Sequence, residues 1–508
     1  MQKLVRITEL TKIIKKAKSE GKKIIQCHGV FDLLHPGHIR HFASAKKYGD
    51  ILIVTITADK FVKKGPGRPI FNENLRAESL AAIEFIDYIV IVFSDSSKDS
   101  ILKIKPDFYI KGPDYKKRKI SPYISQKLLA EEKAVIESGG KLIITEDQVV
   151  FSSSKLINEY LEVYPATTKK YLDSLKQKYT KDYLLEKLDL IRKIKVLIIG
   201  DAIIDQYNFC APIGKSSKEP VIVHKFISSE SYLGGVLATA NHTSSVCNEV
   251  GLVTLLGKKK SYEKFIRKHL KNNISEKFFY RQDSGTIVKS RYIDGVIYQK
   301  LFQVSFMKDE IISDDLSQKI SQYLRAEIKK YDMVIVNDYG HGMLTRRMIQ
   351  TICRSAKYLA LNVQANSANY GFNVITKYPR ADFICIDDQE LRLAAQDRHS
   401  DLIKLVNKIY KKMKCMDMIV TKGSQGSISL GSDKKIIETP ALNQKIVDRV
   451  GAGDAFFAIS APCAYSGMDK DLVSFMGNVA GGLKVQTIGN SKQIDFTEMI
   501  KFITSLLK

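Results

Sequence analysis

Short apolar runs alternating with charged, helix-prone segments constrain the fold of this chain more than any other feature. In the first third, Lys22–Cys27, Ile51–Ile56, Tyr88–Phe93, Phe108–Ile110 and Leu142–Thr145 read as strands. Helical patterning falls between them at 37–48, 74–84 and 97–104. Alternating β and α segments with short connections imply a parallel, doubly wound α/β sheet, whose sites lie beyond the carboxyl ends of the strands. From about Tyr160 to Lys193 the chain is charged and helix-prone, with no strand pattern. A buried strand at Lys195-Val-Leu-Ile-Ile-Gly200 then opens a second α/β unit. The expected organisation is a domain over 1–160, a helical connector over 161–193 and a second domain over 194–508.

Composition narrows the chemistry only slightly. No run approaches eighteen uninterrupted apolar residues, so no membrane span is expected, and the start lacks the apolar stretch of a signal peptide. The cysteines at 27, 210, 247, 353, 385, 415 and 463 form no C-x-x-C pair, which argues against a zinc site or a disulfide framework. A cytoplasmic location follows as an expectation. Lys and Arg number 80 against 55 Asp and Glu, a formal net charge of +25. Apart from short runs such as Lys116–Lys119 and Lys258–Lys260, the lysines are spread along the chain without an aromatic-interleaved basic stripe, so neither nucleic acid nor membrane is an expected partner; small phosphorylated ligands account for part of the charge and solvated lysine faces for most of it.

Two loops more than four hundred residues apart carry phosphate chemistry. The first, His35-Pro-Gly-His38, follows a strand and opens a helix. Pro36 favours an early helical turn and Gly37 allows close backbone approach. His38 then falls near a helix N-terminus, where anions are favoured. Nucleotidyl transfer gathers negative charge on the α-phosphate, and two imidazoles donating hydrogen bonds there lower its barrier. The second loop, Gly451-Ala452-Gly453-Asp454, precedes an apolar helix. Its small residues let backbone amides turn inward as an anion hole, and the aspartate can take a proton from a hydroxyl attacking a γ-phosphate.

The first region, about Leu10 to Tyr160, resembles the cytidylyltransferase-like nucleotidyltransferases, in particular the nucleotidyltransferase half of bifunctional heptose-phosphate kinase/adenylyltransferases. The likeness rests on Gly29-Val-Phe-Asp32, Gly37-His38, Tyr48-Gly-Asp50, Arg68-Pro69 with Arg76, Lys111-Gly-Pro-Asp114-Tyr115 and Ser152-Ser-Ser154-Lys-Leu-Ile157. It implies a Rossmann-like fold in which His35 and His38 hold the triphosphate and Lys64 or Lys63 neutralises it. Gly29, Phe31, Gly37, Arg76, Ser152, Ser153 and Ser154 would contact the nucleotide. Asp32, Lys111 and Asp114 would stand on the acceptor side.

From about Ile194 to Ile494 the chain resembles the ribokinase-like (PfkB) sugar kinases, through Gly200-Asp201-Ala-Ile-Ile-Asp205, Gly234-Gly235, Asn337-Asp338-Tyr-Gly-His-Gly342, Thr421-Lys-Gly-Ser-Gln-Gly426 and Gly451-Ala-Gly-Asp454. The likeness implies a ribokinase-like α/β domain with a small β lid near 219–223 and 287–299, which leaves room for a homodimer. It further implies Asp454 as catalytic base. Thr421, Gly423, Gly426, Gly451, Ala452, Gly453 and Asn490 would bind nucleotide; Asp205, Gly234, Gly235 and Asn241 would bind sugar. Glu390 would help to organise Mg²⁺ indirectly.

The chain also departs from these relatives. Asn362-Val363-Gln364 replaces an Asp-Pro-Lys, Asp387 replaces the Asn of an N-x-x-E, and the diglycine's Asn comes three residues late, at Asn241. The kinase half follows the transferase half, the reverse of the usual bifunctional order. The expectation is an enzyme of nucleotide-sugar synthesis, of the kind that makes ADP-heptose for lipopolysaccharide. ATP would phosphorylate a sugar or sugar phosphate, and ATP or CTP would then donate a nucleotidyl group to the sugar 1-phosphate. The alternatives are a nucleotidyltransferase with an altered sugar-binding kinase domain and a nonenzymatic nucleotide-binding regulator.

Overall fold

A computed structural model of the chain describes residues 3–65, 68–94, 96–112, 122–145, 164–442 and 446–507. It divides into two compact units, Met1–Leu185 with Ile500–Lys508, and Glu186–Met499.

The first unit is built on a five-stranded parallel sheet. Its strands run in the order Tyr88–Val92, Ile51–Thr57, Ile24–Gly29, Phe108–Lys111 and Lys141–Ile144. Ile24, Ile25, Gln26 and Cys27 are all buried, as expected of a parallel strand covered on both faces. Strand order reverses on either side of Ile24–Gly29, and the crevice at such a reversal is where doubly wound sheets bind ligands. The chain leaves that strand directly into Val30–His35, so topology alone brings the histidine loop to the crevice. Two helices were not legible in the sequence reading, Ile7–Ser19 and Pro122–Glu137. The first carries the buried stripe Leu10, Ile14 and Ala17, which packs in one cluster with Ile24, Ile53 and Val90.

In the second unit a 12-stranded sheet bends around the 21-residue strand Lys195–Lys215. The first part of that strand pairs in parallel with Glu249–Gly257 and Met333–Asp338. The main sheet continues through Leu359–Val363, Phe383–Asp387 and Asp417–Thr421, and ends on the antiparallel Ser427–Gly431 and Ile436–Thr439. The distal part pairs with Ile222–Gly235 and Ile287–Asp294, and Lys300–Phe306 completes a small lid sheet. Every residue of Lys300–Phe306 is exposed.

All seven cysteines are free and buried, and burial pushes the Cys27 thiol up to about 12. They serve packing, not nucleophilic chemistry. Among the described residues no helix is long and apolar enough to cross a membrane.

Candidate active sites

In the first unit His35 is the N-cap of the helix Pro36–Lys46, with Pro36 in its first turn. Phe31 stands just upstream in the left-handed region, φ 50°, with its ring against the His38 ring (centroids 5.3 Å) and against Phe42 (5.1 Å). Gly29 lies directly under that ring; a Cβ there would meet Phe31 at 2.8 Å. Buttressed in this way, His35 and His38 stack with centroids 3.9 Å apart. Burial lowers the pKa of both rings; His38, also repelled by His35 and Lys64, falls to about 3. Both are therefore neutral at pH 7. Their Nδ1 atoms are buried and have no hydrogen-bond partner. Two orphaned imidazole nitrogens, a nearby Lys64 and a helix N-terminus suit an anion that supplies the missing contacts and draws protons onto the rings.

Other expected residues take different positions. Asp32 is buried and accepts from the Ile70 and Phe71 amides at 2.7 and 3.1 Å, leaving its second oxygen without a partner. Arg76 is buried and spends its guanidinium inside the protein, on Phe71 O (3.0 Å), Val30 O (2.6 Å), Thr57 O (2.8 Å) and Asp59 Oδ1 (2.5 Å). It ties the histidine loop to the neighbouring strand end. Lys111 forms a buried ion pair with Glu131 at 3.0 Å, and Glu131 also accepts from Ser97 Oγ at 2.6 Å. Burial opposes the Glu131 charge, but Lys111 and the Ser97 bond outweigh it and hold the carboxyl below its usual range. Asp114, Ser152, Ser153 and Ser154 lie outside the described residues.

In the second unit Gly451 is the N-cap of the helix Ala452–Tyr465 at φ +80°. A side chain there would be strained and would overlap Asn490 Oδ1, so glycine is required for the turn that presents the first helical amides. Asp454 sits in that first turn, 8 % exposed, and its Oδ1 accepts from Tyr339 OH at 2.6 Å and from Gln364 Nε2 at 2.8 Å. Burial pushes its carboxyl up, and the two hydrogen bonds partly offset this. These residues open on a cavity of about 400 Å³ whose wall includes Thr421, Gly423, Gly426, Ala452, Gly453 and Glu390. The loops expected to hold nucleotide and the expected base thus share one wall. Burial and the neighbouring Asp387 push Glu390 up to about 8. Among the described residues no group of three or more His, Cys, Asp or Glu could hold a metal alone. Glu390 and Asp387 line the cavity wall but accept from each other's backbone amides, which fits only an indirect hold on a Mg²⁺ that arrives with a polyphosphate.

Asp205 pairs with Arg291 at 2.5 Å, and Gly234 leaves room for it, since a Cβ there would overlap Asp205 Oδ2. Gly235 follows and caps the helix Val236–Thr243. Asn490 does not line the large cavity; its amide lies 3.5 Å from Asp205. Asn241 is buried and bonded to His269 O (3.0 Å) and Lys271 N (3.1 Å), anchoring that turn. Tyr339 belongs to the Asn337–Gly342 motif, but no role for it is visible in sequence. Neither is one for Lys289 and Arg291, which alternate along one lid strand, the period that puts two residues on one face. Asp205 and Asp454 both act electrostatically on Lys289, whose ammonium burial pushes down.

These elements define two catalytic domain classes in one chain: a nucleotidyltransferase-like Rossmann unit and a ribokinase-like phosphotransferase unit. The chain belongs to the pfkB family of carbohydrate kinases, whose model matches residues 193–495, and residues 26–159 match the cytidylyltransferase-like family. Among curated relatives, a bifunctional protein HldE from Aliarcobacter butzleri (strain RM4018) is 39% identical over 135 residues, 26% of this chain and 28% of the relative. Its counterpart in Desulfatibacillum aliphaticivorans is 35% identical over 160 residues, 31% of each chain. These matches fall in the N-terminal region and span less than a third of either relative. Phosphofructokinase-2 from Escherichia coli, in complex with substrates and products, aligns with a TM-score of 0.52 at 12% identity over 62% of this chain and all of its own, a likeness of fold alone.

Proposed function

We propose that the chain carries out two consecutive steps of nucleotide-sugar synthesis, with phosphorylation in 194–508 and nucleotidyl transfer in 1–160. The observation that carries the reading is Asp454, buried and held at 2.6 Å by Tyr339, beside a glycine-capped helix start on a 400 Å³ cavity. Asp454 takes the proton of a sugar hydroxyl as its oxygen bonds to the γ-phosphorus of ATP. The β,γ-bridging bond breaks and ADP leaves, while the Gly451–Gly453 amides face the charge on the transferring phosphoryl group. Bound Mg²⁺ would neutralise the polyphosphate. The acceptor is a sugar or sugar phosphate of the heptose 7-phosphate type, phosphorylated at its anomeric oxygen.

In the N-terminal unit an oxygen of the sugar 1-phosphate attacks the α-phosphorus of ATP or CTP, and pyrophosphate leaves. His35 and His38 donate hydrogen bonds to the developing charge, and Lys64 adds to the field. No covalent intermediate is required, because positioning and charge neutralisation suffice. Both steps use soluble nucleotides, in keeping with a cytoplasmic location. Exposed apolar side chains on the lid, among them Phe226, Ile227, Phe302 and Phe306, favour a homodimer formed through it. The full chain, incubated with a pool of sugar phosphates, ATP and CTP, is expected to yield a sugar bisphosphate and a nucleotide sugar by mass spectrometry. Absence of ADP with every acceptor would refute the kinase half, and absence of pyrophosphate release would refute the other.

A further inference from the structure

Lys484 ends the helix Lys470–Lys484 and is 1 % exposed, yet none of the chemistry above uses it. A lysine ammonium is seldom buried, because removal from water costs several kcal/mol unless oxygen atoms replace the water. Here Lys484 Nζ donates to Gly489 O and to Thr487 Oγ1 at 3.3 Å, both in the turn that follows its helix. That turn is stitched to the anion-hole loop. Val485 O accepts from the Val447 and Asp448 amides at 2.8 and 3.1 Å. The Asp448 carboxylate accepts from the Gly489 amide at 2.8 Å and from the Val450 amide at 3.1 Å. The end of the Lys484 side chain also packs beneath the glycine of the hole itself, since a Cβ on Gly451 would stand 3.2 Å from Lys484 Cε.

We propose that Lys484 is a positioning residue of the phosphoryl-transfer site: its ammonium is an internal cation that fixes the 485–490 turn, which backbone bonds and Asp448 join to the Val447–Gly453 loop, and biases the hole toward a polyphosphate. The inference rests on the kinase reading of this unit. A hydrophobic side chain would fill the space at lower cost. What it would not supply is a positive charge felt by Asp448, Asp454 and Asp205, all three of which interact electrostatically with Lys484.

The same surroundings make the charge titratable. Burial brings Lys484 down to about 8, although Asp448 on the loop, Asp454 on the helix and Asp205 on the long strand pull it up; Lys300 on the lid pushes it down. His242, on the helix Val236–Thr243, also faces it but is itself held near 3 by burial and stays neutral. In the free protein the ammonium therefore forms below about pH 8 and is lost above it. A bound polyphosphate favours the charged form, so by linkage its affinity falls as pH rises through that point.

The test is calorimetric titration of ATP between pH 6.5 and 9.5, on the full chain carrying His38→Ala to weaken the N-terminal site. Affinity is expected to decline above about pH 8. Lys484→Met, checked for an unchanged far-UV spectrum, should bind roughly tenfold more weakly at pH 7 and lose the alkaline decline. Lys484→Ala should be restored by ammonium chloride and not by tetramethylammonium, which is too large for the vacated space. An affinity independent of pH in the parent protein would overturn the proposal without any change at 484. So would a folded Lys484→Met that keeps both the affinity and the decline. If the decline is present but no acceptor yields ADP, the Lys484 assignment stands and the kinase reading fails.

Discussion

The Tyr339 hydroxyl donates to Asp454 Oδ1 at 2.6 Å, joining the end of one central strand to the first turn of the anion-hole helix. The bond fixes the carboxylate and also sets its acidity. Burial raises the Asp454 pKa and the Tyr339 bond lowers it, so Tyr339→Phe should raise it further. A base must be ionised to work, and the acidic limb of kcat for ADP formation should move to higher pH. Asp454→Asn should reduce ADP formation by about 10²-fold or more at every pH.

Gln364 donates to the same oxygen at 2.8 Å. Replacing it by lysine sets a positive charge beside Asp454, which favours the carboxylate and should shift the acidic limb to lower pH. An added cation also favours anionic acceptors. Steady-state comparison of a neutral sugar with its phosphate should show KM falling for the phosphate alone.

His38→Ala removes one of two stacked imidazoles aimed at the expected α-phosphate. Pyrophosphate release should fall by roughly 10²-fold or more, while ADP formation by the other unit stays unchanged. Retention of pyrophosphate release would remove His38 from the mechanism.

The Lys111–Glu131 pair is buried at both ends, 4% and 2% exposed. Removing either charge leaves the other uncompensated, so Lys111→Met and Glu131→Gln should each destabilise the N-terminal unit by about 3–5 kcal/mol in denaturant unfolding. The double replacement should cost less than the sum. If Lys111 instead binds acceptor, its replacement raises KM for the sugar phosphate with little change in stability.

Much of this arrangement was legible because it is local. The histidine loop and the Gly451–Asp454 turn each sit at a helix start, where residue order alone states the geometry. Arg76, Lys111 and Asn490 were read by resemblance as ligand contacts, and their partners became visible only in three dimensions. Arg76 reaches Val30 across 46 positions, Lys111 meets Glu131 from a different element, and Asn490 lies by Asp205 across 285. A side chain that could grip either a phosphate or a carbonyl looks the same in sequence, and packing decides between them. Lys300, paired with Asp448 across 148 positions, gave no local signal at all. The helix Ile7–Ser19 was not read either, because its buried stripe of Leu10, Ile14 and Ala17 lies among lysines and threonines that mask the period.

The strand Lys195–Lys215 belongs to both the main sheet and the lid; main-sheet pairing ends at Asp201, lid pairing begins at Ala202, and Asp205 follows three residues into the lid half. The lid is therefore the far half of a beam whose near half is clamped in the core. Any swing of the lid must flex that beam close to Asp205, and whatever grips Asp205 stiffens the joint. On the proposed reading, in which Asp205 grips the acceptor, recognition and the opening of the site become mechanically one event.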